Sequence, residues 1–148
     1  MSAFISVRLF SFCNFEPKNC VLMDGLFFLC VTRDSVVKID SSKIVYFESE
    51  GNYTTIITVN KYKSMVGIGL GNVMDELQKQ LGSQARYFVR LGKRHIINRC
   101  YFHSMNVLKQ QLVLSDSDRF VLTLSVSKEA LKKFKSDFFD FEEQDFSV

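Results

Sequence analysis

A chain of 148 residues is long enough for one domain with a core and would bury about two-thirds of its unfolded surface, so two full domains are not expected. An apolar fraction of 47%, a single proline (Pro17) and seven glycines exclude a disordered, collagen-like or low-complexity chain, which could not bury enough apolar area to offset its entropy. The net charge of +3 is too small to argue for a polyanionic partner, but it is unevenly spread. Residues 137–148 hold Asp137, Asp140, Glu142, Glu143 and Asp145 with no Lys or Arg, which leaves 19 basic against 11 acidic groups in residues 1–136.

No apolar run approaches the roughly 18 to 20 residues of a membrane span, so no membrane partner is expected. The segment Met1–Phe15 is interrupted by Arg8 and Asn14 and lacks the basic leader of a secretory signal, which makes a cytoplasmic location the expectation. Cys13, Cys20, Cys30 and Cys100 are scattered without the two-residue spacing of zinc knuckles or redox motifs, and read as reduced, buried thiols.

Residues 1–23 show no clean period and read as a leader or an appended strand. From Asp24 the chain reads as short strands over Gly25–Thr32, Val36–Asp40, Lys43–Glu48, Tyr53–Asn60 and Tyr62–Val66, each rich in β-branched or aromatic residues and bounded by Gly, Asn, Asp or Ser. In Tyr53–Val59, alternation puts Ile57 and Val59 on one face and Thr54, Ile56 and Thr58 on the other. A helix follows, with Asn72 as its expected cap, Asp75 and Glu76 at the positive end of its dipole, and Val73, Leu77 and Leu81 as an apolar stripe ending at Gly82. Strands resume at Tyr87–Leu91, His95–Asn98, Tyr101–Val107, Gln110–Leu114 and Phe120–Leu124. The turn Ser115-Asp116-Ser117-Asp118 favours a hairpin between the last two. A closing helix capped by Ser127 would bury Leu131, Phe134 and Phe138. The order lacks the alternating rhythm of a doubly wound fold and predicts a mainly β, antiparallel domain with two short helices.

Little in the sequence supports catalysis. His95 and His103, the only histidines, lie eight residues apart and form no metal-ligand pair with each other or with a Cys pair, so neither a catalytic set, a metal site nor a cofactor is expected. Gly67-Ile-Gly-Leu-Gly superficially resembles a phosphate-cradling loop, but it lacks the Lys-Ser/Thr sequel and is read as a strand-to-helix turn. Glu48 and Glu50 read as solvated residues at the end of a strand. The strongest asymmetry lies from Leu77 to Ser115, where Lys79, Arg86, Arg90, Lys93, Arg94, Arg99 and Lys109 occur without one acidic residue. Five of these seven fall between Arg86 and Arg99, around Leu91-Gly92-Lys93-Arg94-His95. A glycine there lets the backbone project a tight turn whose Lys93 and Arg94 are free to meet phosphates or base edges. Charge alone leaves a solvated basic loop equally open.

Three blocks resemble the LytTR-type DNA-binding domain, an output module of bacterial two-component response regulators. They are Ile44-Val45-Tyr46-Phe47-Glu48-Ser49-Glu50-Gly51-Asn52-Tyr53, then Phe88-Val89-Arg90-Leu91-Gly92-Lys93-Arg94-His95-Ile96-Ile97-Asn98, and Leu122-Thr123-Leu124-Ser125 with the Lys-rich helix after it. The resemblance covers 24–138 and leaves 139–148 as an acidic, aromatic tail. It implies an elongated antiparallel β fold whose loops enter two successive major grooves of double-stranded DNA. By position, the first loop offers Asn52 and Tyr53, the second Gly92, Lys93 and Arg94 with Arg90 beside it, and the third Val126, Ser127 and Lys128. Phe88, Ile96, Ile97 and Asn98 would be scaffold, with Asn98 pinning the loop by hydrogen bonds.

This chain departs from the family pattern in several places. Many members have His at the position of Gly92 and Ser at that of Arg94, and the third loop commonly supplies an Arg where Ser127 and Lys128 stand here. Lys is less suited to bidentate base reading, which shifts that loop toward phosphate. The segment before Asp24 is too short for a receiver, so the expectation is a stand-alone, non-enzymatic transcriptional regulator, or one controlled by a separate sensor or regulator protein. The resemblance further implies paired direct repeats and a possible dimer on DNA. The alternative is a protein-interaction or anti-regulator module that keeps the fold with reduced DNA binding, its tail folding back over the basic loop or engaging another protein.

Overall fold

The computed structural model describes residues 25–138; the expectations for 1–23, for Cys13 and Cys20 and for 139–148 lie outside the described residues. Chain order is β1 (Phe27–Val31), β2 (Val36–Asp40), β3 (Ile44–Glu50), β4 (Tyr53–Thr58), β5 (Lys63–Val66), α1 (Leu70–Leu81), β6 (Phe88–Leu91), β7 (His95–Asn98), β8 (Phe102–Asn106), β9 (Gln111–Ser115), β10 (Val121–Ser125) and α2 (Lys128–Phe138). Short 3-10 turns occupy Ser41–Lys43, Gly82–Tyr87 and Arg99–Tyr101. All strand pairs are antiparallel, as expected, and every expected strand occurs with its ends displaced by no more than two residues.

Five strands in the order β5-β4-β3-β7-β6 form the central sheet. Its inner strands are apolar at consecutive positions because both faces are covered. Ile44, Phe47, Ile56, Phe88 and Ile96 pack into one core with Phe28 of β1 and with Leu70, Val73, Leu77 and Leu81 of α1. Val45, Tyr46, Ile57, Leu91 and Ile97 pack into a second core with Leu112, Leu114 and Leu124 of the β8-β9-β10 sheet and with Leu131 and Phe134 of α2. Ile56 and Ile57 thus face opposite layers and are both buried. Each such side chain contributes about 1.5–3 kcal/mol on burial.

A register shift between Ile44 and Tyr46 marks a bulge in β3 and lets Val45 and Tyr46 enter the same core. The bulge leaves the Ile44 carbonyl to a side chain: fully buried Asn98 donates from Nδ2 to it at 2.9 Å, while its Oδ1 accepts from the Cys100 N–H at 3.0 Å. Asn98 therefore pins the far end of β7 to β3, as a scaffold residue, and not the loop at Gly92.

Helix α1 differs from expectation at its start. Gly69, in extended backbone, takes the cap position without a side-chain bond, Asn72 lies exposed inside the helix, and no acidic residue falls in the first turn. Burial of Leu70 beside Val73 explains this, since the apolar stripe begins three residues before the one read from sequence and packing outweighs a polar cap. At the other end Gly82 adopts φ +59 and closes the helix as expected. Gln80 of α1 presents its amide to the outer edge of β1, accepting from Leu29 N–H at 2.8 Å and donating to Leu29 C=O at 2.7 Å, which closes that edge to further pairing. The hairpin β9–β10 turns as expected through Asp116, whose Oδ1 accepts from the backbone N–H groups of Asp118, Arg119 and Phe120. Cys30 is buried and Cys100 half-buried, and neither is disulfide-bonded.

Replacing Asn98 by Ala orphans the Ile44 carbonyl and the Cys100 amide at once, and is expected to cost about 1–3 kcal/mol. Urea denaturation of the two proteins measures this; an unshifted midpoint would show that neither bond stabilises the fold.

Candidate nucleic-acid interface

Three chain reversals come out at one end of the double-sided core. The first is the two-residue turn Gly51–Asn52 between paired Glu50 and Tyr53. Gly51 has φ +67 and Asn52 does not have positive φ, the pattern of a II′ hairpin turn that needs glycine first. Asn52 and Tyr53 are exposed there. Fully buried Thr54 holds the base of the turn by donating from Oγ1 to the Ile68 carbonyl at 2.8 Å, and so ties it to the Gly67–Gly69 connection into α1. The glycine run is thus the strand-to-helix turn expected of it.

The second reversal is Gly92-Lys93-Arg94, between paired Leu91 and His95. It lies beside the first because Glu48 pairs with His95 across β3 and β7 and Ser49 N–H donates to the Arg94 carbonyl at 2.8 Å. Arg90 spans the loop from the other side, donating from Nε to the Gly92 carbonyl at 3.3 Å. Gly92 has φ +59, and a Cβ built there would lie 3.6 Å from the Cβ of Ala130 in α2. That approach brings in the third reversal, Val126-Ser127-Lys128. Val126 N–H donates to the Gln110 carbonyl at 3.0 Å, and Ser127 caps α2 as expected by accepting from Ala130 N–H at 3.3 Å.

Asn52, Tyr53, Arg90, Gly92, Lys93, Arg94, Ser127 and Lys128 are all exposed around these three reversals. Two details depart from the sequence reading. Glu48 is not a solvated loop residue: it sits within β3, 28% exposed, with Oε1 3.4 Å from Arg94 Nη2 and 3.9 Å from His95 Nε2. Arg94 is consequently tethered at one nitrogen although its side chain is 70% exposed, whereas Lys93 has no hydrogen-bond or ion-pair partner among the described residues. Burial pushes the His95 imidazole below its ordinary pKa; Glu48 opposes that shift and Arg94 adds to it. His103 is exposed on β8, as expected.

Sequence reasoning overlooked two contributors. The β8–β9 turn reaches the third loop through Gln110 and carries exposed Leu108 and Lys109, with φ +54 at Gln110. Lys133 of α2 lines the same groove as Lys93. The spacing of Lys133 from the Ser127 cap, about 1.7 turns along a helix already expected, was the signal for it. Among the described residues, no three His, Cys, Asp or Glu side chains gather as a metal ion would require, and no helix is long and apolar enough to cross a membrane.

Two outcomes follow from this geometry. Gly92→Ala forces a side chain into positive φ and is expected to destabilise by about 1–2 kcal/mol, read from thermal or urea unfolding; equal stability would mean that the loop relaxes to another conformation. For His95, the unfolded state binds the proton at about pH 6.5 and the folded state only at lower pH. Stability is therefore complete above pH about 6.5 and falls as the pH drops from there toward the depressed folded value. His95→Gln should flatten that part of a plot of urea midpoint against pH, and an unaltered slope would assign it to other groups.

The Bacillus cereus structure of a LytTr DNA-binding domain, from a protein described as a methyl-accepting/DNA response regulator, superposes with a TM-score of 0.51 at 16% identity, covering 74% of this chain and 94% of that one. At that identity the likeness establishes the fold. No curated protein matches the chain. The model of the LytTr DNA-binding domain matches residues 34–138, well over half of the sequence, including all three reversals and every element from β2 to α2. The chain belongs to the LytTR DNA-binding domain family.

Proposed function

We propose that this protein is a sequence-specific regulator of transcription that reads double-stranded DNA through the three clustered reversals. The observation that carries the reading is their convergence at one end of the central sheet, where Arg90, Lys93, Arg94 and Lys128 are all exposed and Lys93 has no hydrogen-bond or ion-pair partner among the described residues. In this reading Arg90, Lys93, Arg94 and Lys128 supply most of the phosphate attraction, since each neutralised phosphate releases counterions. Asn52, Tyr53, Lys93 and Arg94 lie at the tips that would reach base edges in successive major grooves. Ser127, with its hydroxyl engaged by the helix cap, and Lys128 suit backbone contact more than base reading. Glu48 holds one nitrogen of the Arg94 guanidinium and offsets part of its charge, which makes Lys93 the stronger electrostatic contributor of the pair. The family context favours occupancy of paired direct repeats by two copies, under control of a separate sensor or regulator protein.

The test is a titration of duplexes selected from a random library, at several salt concentrations. Lys93→Ala should weaken binding and make the plot of log affinity against log salt shallower by about 0.9, and Lys93→Ala with Arg94→Ala by up to about twice that. Affinity and slope both unchanged in the double variant would overturn this assignment of the site.

A further inference from the structure

A groove of about 580 Å³ runs between β6 and α2, from the Gly92 loop to the last turn of the helix. Val89, Ala130 and Phe134 supply its apolar lining, and Arg90, Lys93 and Lys133 its basic groups. Glu129 and Asp137 are the carboxylates on its wall. β6 is an edge strand of the central sheet, so an extended segment laid along this groove would meet unpaired backbone groups as well as side chains. Two of the basic groups, Arg90 and Lys93, are residues assigned above to DNA.

The chain carries a segment of matching chemistry next to this groove. Residues 139–148 hold Phe139, Phe141 and Phe146 interleaved with Asp140, Glu142, Glu143 and Asp145, without a Lys or Arg. They continue directly from α2, whose last residues border the groove. The eleven residues of α2 span about 16 Å, and ten extended residues reach about 33 Å. The segment can therefore turn back and lie along the full groove as far as Lys93. We infer that residues 139–148 are the occupant of this groove: their phenylalanines cover half-buried Val89 and Ala130, their carboxylates meet Arg90, Lys93 and Lys133, and the docked segment competes with DNA for the second loop. This inference rests on the assignment of Arg90 and Lys93 to DNA only for its last clause.

Two full-length variants separate docking from general charge repulsion. One carries Phe139→Ser, Phe141→Ser and Phe146→Ser and keeps every charge; the other carries Asp140→Asn, Glu142→Gln, Glu143→Gln and Asp145→Asn. In the DNA-free protein, the amide resonances of Gly92, Lys93 and Ala130 are expected to move in both variants, while that of Tyr62, which does not line the groove, stays in place. Affinity for the selected duplex should rise about five- to tenfold in both, as for a segment docked in four-fifths to nine-tenths of molecules. If the phenylalanine variant leaves the groove resonances unmoved, the inference is overturned, whatever the charge variant does. Resonance positions that depend on protein concentration would also overturn it, by placing the segment on a second copy. Should the protein bind no duplex at all, the DNA assignment fails while the resonances still decide the docking.

Discussion

Burial of the central sheet on both faces is the constraint from which the rest of the structure follows. Consecutive apolar residues in β3, β4 and β7 leave no face that could be turned to water, so slipping any of these strands by one residue would bury their polar neighbours and exchange the two cores. The first half of the chain covers one face with β1, β2 and α1, and the second half covers the other with β8–β10 and α2. With register held in this way, the hairpin ends Gly51–Asn52 and Gly92–Arg94 emerge side by side and do not depend on their own side chains for position. Loops on such a frame are free to carry polar and basic residues that the core could not accept.

Local electrostatics then differentiate residues that look alike. Lys93 and Arg94 are adjacent and exposed, yet Glu48 meets only Arg94, because β3 and β7 place Glu48 opposite His95. An exposed pair of this kind contributes little to stability. Its consequence is to tether one nitrogen of the Arg94 guanidinium to β3, whereas Lys93 has no such partner among the described residues. The same tip approaches α2 closely enough for Gly92 to lie against Ala130, which joins the second loop to the third and opens the groove between β6 and α2 to both. The DNA contact and the docking of residues 139–148 proposed above would therefore draw on one surface.

Much of this was legible from local pattern. β-branched and aromatic runs punctuated by Gly, Asn and Asp gave every strand, Ser127 gave the cap of α2, and Gly82 gave the end of α1, because these depend on the chemistry of a few neighbouring residues. The start of α1 was misjudged for the opposite reason: Asn72 is a good cap in isolation, but Leu70 has a core position to fill and draws the helix back to Gly69. Glu48 was placed in solvent because its partners, Arg94 and His95, are nearly fifty residues away and belong to a different hairpin. Asn98 reads as scaffold from sequence and is scaffold in the structure, yet its acceptor is the Ile44 carbonyl, beside a bulge in β3 that no local signal announces.

The sequence by itself determined the antiparallel β character, the two helices, the glycine turns and the concentration of basic residues around Lys93, since each follows from side-chain type and short-range periodicity. Tertiary structure decided which face each apolar residue serves, which of the basic residues are answered by a carboxylate, and that three reversals separated along the chain meet at one end of the sheet. Those outcomes depend on strand order and on packing between distant segments, and a one-dimensional pattern carries the propensity for a strand without saying which other strand it will lie against.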